Sequence, residues 1–305
     1  MISLESKTSS TTRHIARKLV PVVPGEQLPT TQDLAGELDV GFGTVEKAVS
    51  VLRSNGVIRT RSRGQMGTFL EERNLPDLWN LSGLGTVIGL HPLPNATTFM
   101  GLATGTTQWF EQTRIPYSIT FKNGAHARLQ ALLEKRADFI VLSRRSADLV
   151  RLKHPDTHVL AELPEWSYYS GHEVVFRRDS NKPRDDWTIG VDSSSYDHVA
   201  LCEEIFPNCS RREVHYVNLP YAIAKGEIDA TLLLAKSLVP MDLAQTLETE
   251  PVSSSDSVLR TASAAVFLCH GDSMELASVF KNTGNTDLIH EVQNAVIEGT
   301  REPEY

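Results

Sequence analysis

The sequence has few cysteines and no long apolar run. Its three cysteines, Cys202, Cys209 and Cys269, form no Cys-x-x-Cys pair and lack the spacing of metal ligands. This argues against a disulfide framework and a cysteine zinc site, so we expect buried thiols in a reducing compartment. No stretch approaches about 18 consecutive apolar residues, and the N-terminal region has no apolar segment typical of a signal peptide. The sequence therefore predicts a cytoplasmic protein with no membrane span.

Acidic residues outnumber basic ones, but the charge is uneven along the chain. The 305 residues carry a net charge of −8, with 30 Lys/Arg and 38 Asp/Glu. Residues 1–73 contain 10 basic and 8 acidic residues (+2), which leaves 20 and 30 (−10) for the rest. This length allows about two domains. This asymmetry fits a small basic binding head on an acidic body.

Residues 28–70 show the pattern of two short helices followed by a hairpin. Thr30 and Asp33 have the spacing of a capping box at the start of the first helix. Residues 39–41 form the turn between the helices, and Gly56 ends the second helix. Hairpin strands are predicted at residues 57–61 and 67–70. The whole pattern predicts a winged helix-turn-helix, whose second helix normally lies in the DNA major groove.

Flanking segments complete this predicted domain, which covers residues 12–72. Residues 1–11 are rich in Ser and Thr, and we expect them to be disordered. Residues 12–20 predict a first helix whose basic residues either reach phosphate or form a solvated face. Residues 73–85 contain Pro76 and two glycines, and predict a linker.

The same stretch resembles the GntR-type winged helix. The resemblance rests on a set of matched positions: Leu28-Pro29-Thr30, Leu34-Ala35, Leu38, Val40, Thr44-Val45, Ala48, Leu52, Gly56, Gly64 and Gly67-Thr68-Phe69. The departures are Gln32, Phe42, Gly43 and Glu46, at places where that family usually has basic residues. The resemblance implies a DNA-binding scaffold with few base-reading donors.

Candidate DNA contacts are donors at helix N-termini and in the wing. Arg59, Arg61 and Arg63 alternate along a predicted strand, which places them on one face. The full candidate set is Thr30, Thr31, Gln32, Gly43, Thr44, Lys47, Arg59, Arg61, Arg63 and Gln65. The alternative interpretation is a winged helix that contacts protein and has merely solubilising arginines.

From residue 86 onward, short apolar runs alternate with helical patterns. The first half predicts strands at 86–90, 117–121 and 139–142, with helices at 98–112 and 125–136. The second half predicts strands at 187–191, 214–217 and 230–234, with helices at 197–205 and 221–225. Residues 159–163 and 173–176 are extended segments between the halves. A return strand at 258–268 and closing helices at 274–280 and 288–298 follow.

This order predicts an α/β fold with parallel sheets. We expect an N-terminal winged helix-turn-helix plus a two-lobed, periplasmic-binding-protein type 2-like α/β domain at residues 86–305. Lobe 1 covers about 86–165 and 258–305, and lobe 2 about 170–250. The combination resembles the YhfZ-type family of regulators, through residues 63–69, Gly89, 92–94, 101–105 and 138–144. That resemblance implies DNA binding controlled by a small effector.

Three loops after predicted strands are candidates for holding that effector. Such loops place helix N-termini and hydroxyl groups at one edge of a parallel sheet. The candidates are Pro94, Asn95, Ala96, Thr97, Ser143, Arg144, Ser193, Ser194, Ser195 and Tyr196. Arg144 would clamp a carboxylate or phosphate, which predicts an anionic metabolite. The alternative interpretation is ordinary N-capping.

Signals for catalysis or metal binding are weak. Ser195, Asp197 and His198 are adjacent in sequence but have no nucleophile elbow around them, and residues 154–158 predict a plain loop. We expect no enzyme activity, no cofactor and no metal. DNA-binding logic favours a homodimer on a palindromic operator. The alternative is a cytoplasmic ligand-binding or enzymatic body whose head mediates protein contacts.

Overall fold

The computed structural model describes residues 6–235, 241–252, 257–283 and 286–305. By their contacts, the residues divide into two compact units. We call the first the head unit: Met1–Val87, Phe110–Tyr117 and Asp272–Gly284. We call the second the body unit: Ile88–Trp109, Ser118–Gly271 and Asn285–Tyr305.

The N-terminal part of the chain forms a helix-turn-helix followed by a two-stranded hairpin. Its helices are α1 (Lys7–Leu19), α2 (Thr31–Leu38) and α3 (Phe42–Ser54), and its strands are β1 (Ile58–Ser62) and β2 (Thr68–Arg73). The predicted capping box is confirmed, since the Asp33 N–H donates to Thr30 Oγ1 at 3.1 Å and the Thr30 N–H donates to Asp33 Oδ2 at 3.2 Å. Gly56 follows α3 with a positive φ of 69°, as the predicted helix end requires.

Helix α1 is longer than predicted. It begins at Lys7, so residues 7–11 are helical, whereas the sequence analysis expected disorder there. Ser6 caps the helix, and the hydroxyls of Thr11 and Thr12 donate to carbonyls one turn back. Those hydrogen bonds satisfy the polar groups of two buried threonines, of which Thr11 lies in the segment expected to be disordered.

The segment predicted as a linker contains helix α4 (Leu75–Ser82). Asn74 caps its start, Pro76 lies in its first turn and Gly83 ends it with φ 73°. Trp79 is buried, and its Nε1–H donates to the Gly85 carbonyl at 2.7 Å. Asn, Pro and Gly here mark the ends of a helix rather than a flexible connection.

The body unit is built on two five-stranded sheets. The helices and strands from residue 87 to the C-terminus, of which α11 belongs to the head unit, are β3 (Val87–His91), α5 (Thr97–Thr113), β4 (Tyr117–Phe121), α6 (Ala125–Leu133), β5 (Phe139–Ser143), α7 (Arg144–Lys153), β6 (Thr157–Glu162), β7 (His172–Arg177), β8 (Thr188–Val191), α8 (Tyr196–Ile205), β9 (Ser210–Glu213), α9 (Leu219–Ala224), β10 (Ala230–Leu234), β11 (Leu247–Pro251), α10 (Ser257–Ser263), β12 (Ala265–His270), α11 (Met274–Thr283) and α12 (Thr286–Ile297).

The strand orders are β4-β3-β5-β12-β6 in the first sheet and β11-β7-β10-β8-β9 in the second. Strand β3 pairs with β5, and β8 with both β9 and β10, in parallel, while β12 and β7 run antiparallel to their neighbours. The apolar strands β5 and β10 are buried along their whole length. This arrangement confirms the predicted α/β class.

Two predicted strands are wrong in position. Residues 214–217 are not a strand, because the pairing segment is β9, which ends at Glu213. β9 is an exposed edge strand, so it has no apolar alternation to reveal it. Residues 258–268 divide into helix α10 and strand β12, whereas the sequence analysis expected one strand. Helix α7 and strand β11 had no predicted counterpart.

Helix α11 belongs to the head unit although it lies late in the chain. Arg17 of α1 donates from Nε to Glu275 Oε1 at 2.5 Å. The side chains of Ser278 and Asn282 both donate to the Pro21 carbonyl at 3.3 Å. The segment just after α1 is therefore held by side chains from residues 275–282.

Two glycines allow helices α5 and α12 to pack closely in the body unit. A Cβ at Gly101 would lie 2.7 Å from the Gln293 carbonyl oxygen, and one at Gly105 would lie closer still to that of Ile289. Both obstacles are backbone atoms, which cannot rotate away. Gly101 and Gly105 therefore serve packing.

We predict that Gly105→Ala lowers the free energy of unfolding by about 1–3 kcal/mol, because the added methyl group separates the two helices. Gly36→Ala is the matched control: Gly36 lies inside α2 with no atom near its Cβ position, so this change should add about 0.5–1 kcal/mol. Urea unfolding of both full-length variants measures the difference. Equal stabilities would contradict the close-packing account.

Candidate functional site

The body unit contains a cavity of about 60 Å³ that is partly open to solvent. Its wall comes from both sheets. The first sheet contributes the loop after β3, the turn before α6 and the first turns of that helix. The second contributes Asp192 after β8 and the start of α8, and the wall is completed by Tyr168, Tyr169 and His172. Loops that follow parallel strands thus form the site, as is usual in α/β folds.

Arg128 is the only cation among the residues that line this cavity. Its side chain is buried, with the residue 4% exposed, and no ion pair to a carboxylate occurs within the described part of the chain. Nη1 donates to the Lys122 carbonyl at 2.7 Å and Nη2 to the Tyr168 hydroxyl at 2.9 Å. Nε is buried without a partner. A buried guanidinium held only by neutral oxygens lacks a counter-charge.

Asp192 is the carboxylate of the same cavity, and its hydrogen bonds are already made. It accepts from the backbone N–H groups of Ser194 and Tyr216, both at 2.9 Å, and from Asn123 Nδ2 at 3.0 Å. Burial acts to raise the pKa of Asp192, but these hydrogen bonds outweigh it and leave the pKa below its ordinary value. Asp192 is therefore an ionised group whose charge is compensated by nearby dipoles.

Two histidines beside the cavity are neutral. Burial, with a smaller contribution from His198, lowers the pKa of His172 to about 3. Burial also lowers the pKa of His198, whose Nδ1 lies 3.0 Å from the Asp192 N–H and whose Nε2 lies 3.0 Å from the Leu232 carbonyl. Backbone contacts on both sides assign His198 the tautomer protonated at Nε2.

Three of the residues that line the cavity each have one polar atom buried without a hydrogen-bond partner: Arg128 Nε, His172 Nδ1 and Asn95 Oδ1. Buried polar groups in proteins almost always form hydrogen bonds, and a cluster of exceptions indicates a place where another molecule binds. The cavity thus combines one cation that has no ion pair among the described residues, one carboxylate whose hydrogen bonds are already made, and uncharged polar groups.

Of the ten residues predicted to bind effector, the structure brings Asn95 and Ser195 to the cavity wall. The wall does not include Pro94, Ala96, Thr97, Ser143, Arg144, Ser193, Ser194 or Tyr196. Ser143 caps α7 by accepting from the Ser146 N–H at 3.0 Å, and Ser193 donates to Glu213 at 2.7 Å. Ordinary capping accounts for Ser143.

The arginine that lines the cavity is Arg128, whereas the sequence predicted Arg144 for this role. The half-exposed guanidinium of Arg144 forms an ion pair with Glu162 at the end of β6. Arg128 was missed because it lies inside an amphipathic helix pattern. A signal was present: residues 125, 128 and 132 share one face of α6, and that face is otherwise apolar.

The predicted DNA-contact residues lie on α2, α3 and the hairpin of the head unit. Thr31 and Gln32 are in the first turn of α2, Gly43 and Thr44 are in the first turn of α3, and Lys47 is exposed one turn later. Gly41 precedes α3 without a side-chain cap, so the first N–H groups of α3 are not capped by that residue. Thr30 and Gln65 are exposed at the start of α2 and in the hairpin turn.

The three wing arginines differ in their surroundings. Arg59 is paired with Glu71, at 3.5 Å, and with Glu72. Arg61 is exposed, and the described residues offer it no ion pair. Arg63 lies beyond the end of β1, with its guanidinium carbon 4.4 Å from the Phe69 ring centre. The predicted shared strand face therefore holds for Arg59 and Arg61 alone.

The candidate Ser195, Asp197 and His198 group does not have the geometry of a catalytic triad. Ser195 Oγ accepts the backbone N–H of His198 at 3.3 Å, while both ring nitrogens of that histidine face backbone groups. Asp197 accepts from Tyr169 Oη at 3.0 Å and from Ser146 Oγ at 3.1 Å. Within the described residues, no three potential ligands form a metal cluster, and no helix has the length and apolarity to cross a membrane.

Comparison with known proteins places both parts of the chain. The sequence model described as the YhfZ C-terminal domain matches residues 74–305, and one described as a helix-turn-helix domain matches residues 24–70. The chain is 27% identical over 297 residues to the uncharacterized protein YhfZ of Escherichia coli K12, covering 95% of each. Over 47 residues it is 47% identical to the HTH-type transcriptional regulator Rv1152 of Mycobacterium tuberculosis, covering 15% of this chain and 37% of that protein.

Two solved structures support the fold. YhfZ from Shigella flexneri superposes with a TM-score of 0.59 at 24% identity, covering 75% of this chain and 97% of that one. The periplasmic aliphatic sulphonate binding protein SsuA of Escherichia coli gives a TM-score of 0.50 at 12% identity, covering 70% and 75%. The predicted periplasmic-binding-protein type 2-like fold is thereby confirmed. The GntR-type assignment of the head stays a prediction.

The predicted resemblance to YhfZ is confirmed by the match over residues 74–305, which is most of the chain. A helix-turn-helix precedes the matched region, in agreement with the fold described above. The chain belongs to the YhfZ family.

Proposed function

We propose that the protein is a cytoplasmic, DNA-binding transcription regulator whose affinity for its operator is controlled by a small anionic effector. The effector binds in the cavity of the body unit, and the protein acts as a homodimer on a palindromic operator. The observation that carries the proposal is Arg128, a buried cation on the cavity wall that forms no ion pair with any of the described residues. We propose that the protein is not an enzyme.

The DNA-binding half of the proposal is supported by the exposed donors of the head unit. Arg61 and Lys47 are exposed, and the N-termini of α2 and α3 present backbone N–H groups. The relative Rv1152, matched over the helix-turn-helix, is described as a transcriptional regulator. Because Arg59 is neutralised by two glutamates, the wing grips DNA mainly through Arg61 and Arg63.

The effector half is supported by the three unpartnered atoms on the cavity wall. An anion would pair with Arg128 and supply the charge partner that the described residues do not provide. We propose Asn95 and Ser195 as effector contacts retained from the sequence analysis, together with Arg128 and His172. Arg144 pairs with Glu162 and Ser143 caps α7, so neither is proposed as an effector contact.

The competing function is a ligand-binding or enzymatic body whose head mediates protein contacts. It is favoured by the few donors of the recognition helix, where Phe42 and Glu46 are exposed. A turnover assay across metabolites tests the enzymatic version. The two functions differ in how binding depends on salt.

We predict that the full-length protein binds its own upstream region with an affinity that falls steeply with salt, because phosphate contacts release counterions. Fluorescence anisotropy at several salt concentrations gives the log–log slope. We expect a slope of about −4 or steeper, from about four or more phosphate contacts in a dimer. A slope near zero, or no binding, would favour the competing function.

We predict that Arg61→Ala with Arg63→Ala weakens DNA binding by roughly tenfold or more and flattens the salt slope by about 2–4, because the dimer loses up to four phosphate contacts. Lys47→Ala should weaken binding less, because a single exposed lysine adds one contact. Arg136→Ala with Arg151→Ala removes the same charge from exposed positions of the body unit and should leave affinity within twofold. A dominant effect of Lys47 would place the DNA-reading surface on α3.

A further inference from the structure

The charge inside the cavity limits what the effector can be. Arg128 is the single cation on the wall, and two of its five N–H groups are already given to the Lys122 carbonyl and the Tyr168 hydroxyl. Asp192 contributes a full negative charge to the same wall. A dianion such as a phosphate ester would meet one guanidinium and be repelled by Asp192. The wall therefore accommodates one negative charge.

The first turn of helix α6 reinforces this anion position. Gly124 and Ala125 line the cavity, and Gly124 supplies no side-chain cap to the helix. The Ala125 N–H, in the first turn, has no acceptor within its own helix. Arg128, which is buried with an unpartnered Nε, lies in the same turn. Guanidinium and helix N-terminus together suit a planar carboxylate.

The remaining polar groups indicate hydroxyls rather than an ammonium group. Asn95 Oδ1 and His172 Nδ1 are the uncharged atoms without partners. A hydroxyl can donate to an amide oxygen and can donate to, or accept from, a neutral imidazole. An ammonium group needs a carboxylate with free lone pairs, whereas Asp192 is 1% exposed and already accepts three hydrogen bonds.

We propose that the effector is a small hydroxylated monocarboxylate, with its carboxylate on Arg128 and the N-terminus of α6 and its hydroxyl groups on Asn95 and His172. This inference rests on the proposed function, because it assigns a chemical class to the same cavity. The binding groups that it assigns belong to residues that line this one cavity, namely Asn95, Ala125, Arg128 and His172.

The test compares matched small molecules on the full-length protein. Calorimetry and thermal shift would use lactate, glycerate, threonate and gluconate. Alanine and serine carry an ammonium group in place of the 2-hydroxyl of lactate and glycerate. Propionate lacks the hydroxyl, glycerol lacks the carboxylate, and glycerol 3-phosphate carries a dianionic phosphate instead of the carboxylate. At least one hydroxy acid should bind at least tenfold more tightly than every counterpart. Tighter binding of an amino acid or the phosphate ester, or no binding of any hydroxy acid at 10 mM, would overturn the proposal.

Variants locate the binding. Arg128→Gln should lower the affinity of the hydroxy acid at least 100-fold, and Arg128→Lys, which keeps the charge but loses the planar fork, at least tenfold. Arg144→Gln is the matched control and should leave affinity within twofold. Asn95→Leu should reduce the preference for lactate over propionate towards one, while the carboxylate still binds. Circular dichroism checks that each variant is folded.

The outcomes separate this inference from the proposed function. If another class of anion binds and Arg128→Lys weakens it tenfold, the effector site stands and the hydroxy-acid class is wrong. If the hydroxy acid binds equally well to the Arg128 variants, the assignment of the cavity itself is overturned. A tenfold preference that depends on both Arg128 and Asn95 supports the proposal as stated.

Discussion

The guanidinium of Arg128 is buried beside a cavity, where it donates hydrogen bonds to a carbonyl and a phenol hydroxyl, and none of the described carboxylates forms an ion pair with it. Taking an ion of this size out of water costs several kcal/mol even after the surroundings relax. The hydrogen bonds to the Lys122 carbonyl and the Tyr168 hydroxyl offset part of that cost. The other features of the site follow from this one charge.

The cavity walls are joined by polar links between the two sheets of the body unit. Asn123, before α6, donates to Asp192, after β8. The backbone N–H of His126 donates to the Ser194 carbonyl at 3.2 Å. Both links join the start of α6 to the loop after β8, so the helix that carries Arg128 is held by the opposite lobe. Any rearrangement of the lobes must break or re-form these hydrogen bonds.

The fold was largely predictable because its strongest signals are local. Strands β5 and β10 read as short apolar runs, and the capping box of α2 needs only two residues at fixed spacing. The prediction failed where the signal is ambiguous or absent. β9 is exposed on every residue, and α4 begins and ends with residues that also suit a linker.

The site was less predictable, because sequence order does not specify which side chains meet. Arg144 directly follows a buried strand, as a ligand clamp should. However, its partner Glu162 lies on β6, two places away in the sheet. Arg128 and Asp192 are 64 positions apart, and the surface that they share arises only when α6 packs beside the loop after β8. The apolar helix face marks Arg128 as a buried arginine, but only tertiary packing shows that it lines the cavity and Arg144 does not.

Helix α11 follows a strand of the body unit along the chain but belongs to the head unit. Strand β12 lies inside the first sheet and ends at His270. Helix α11 begins at Met274, and its Glu275 pairs with Arg17 of α1. A cut after residue 87 would thus divide the head unit instead of releasing it. The helix-turn-helix part of this protein therefore shares one compact unit with residues 272–284. A chimera that exchanges the head unit would have to exchange residues 272–284 as well.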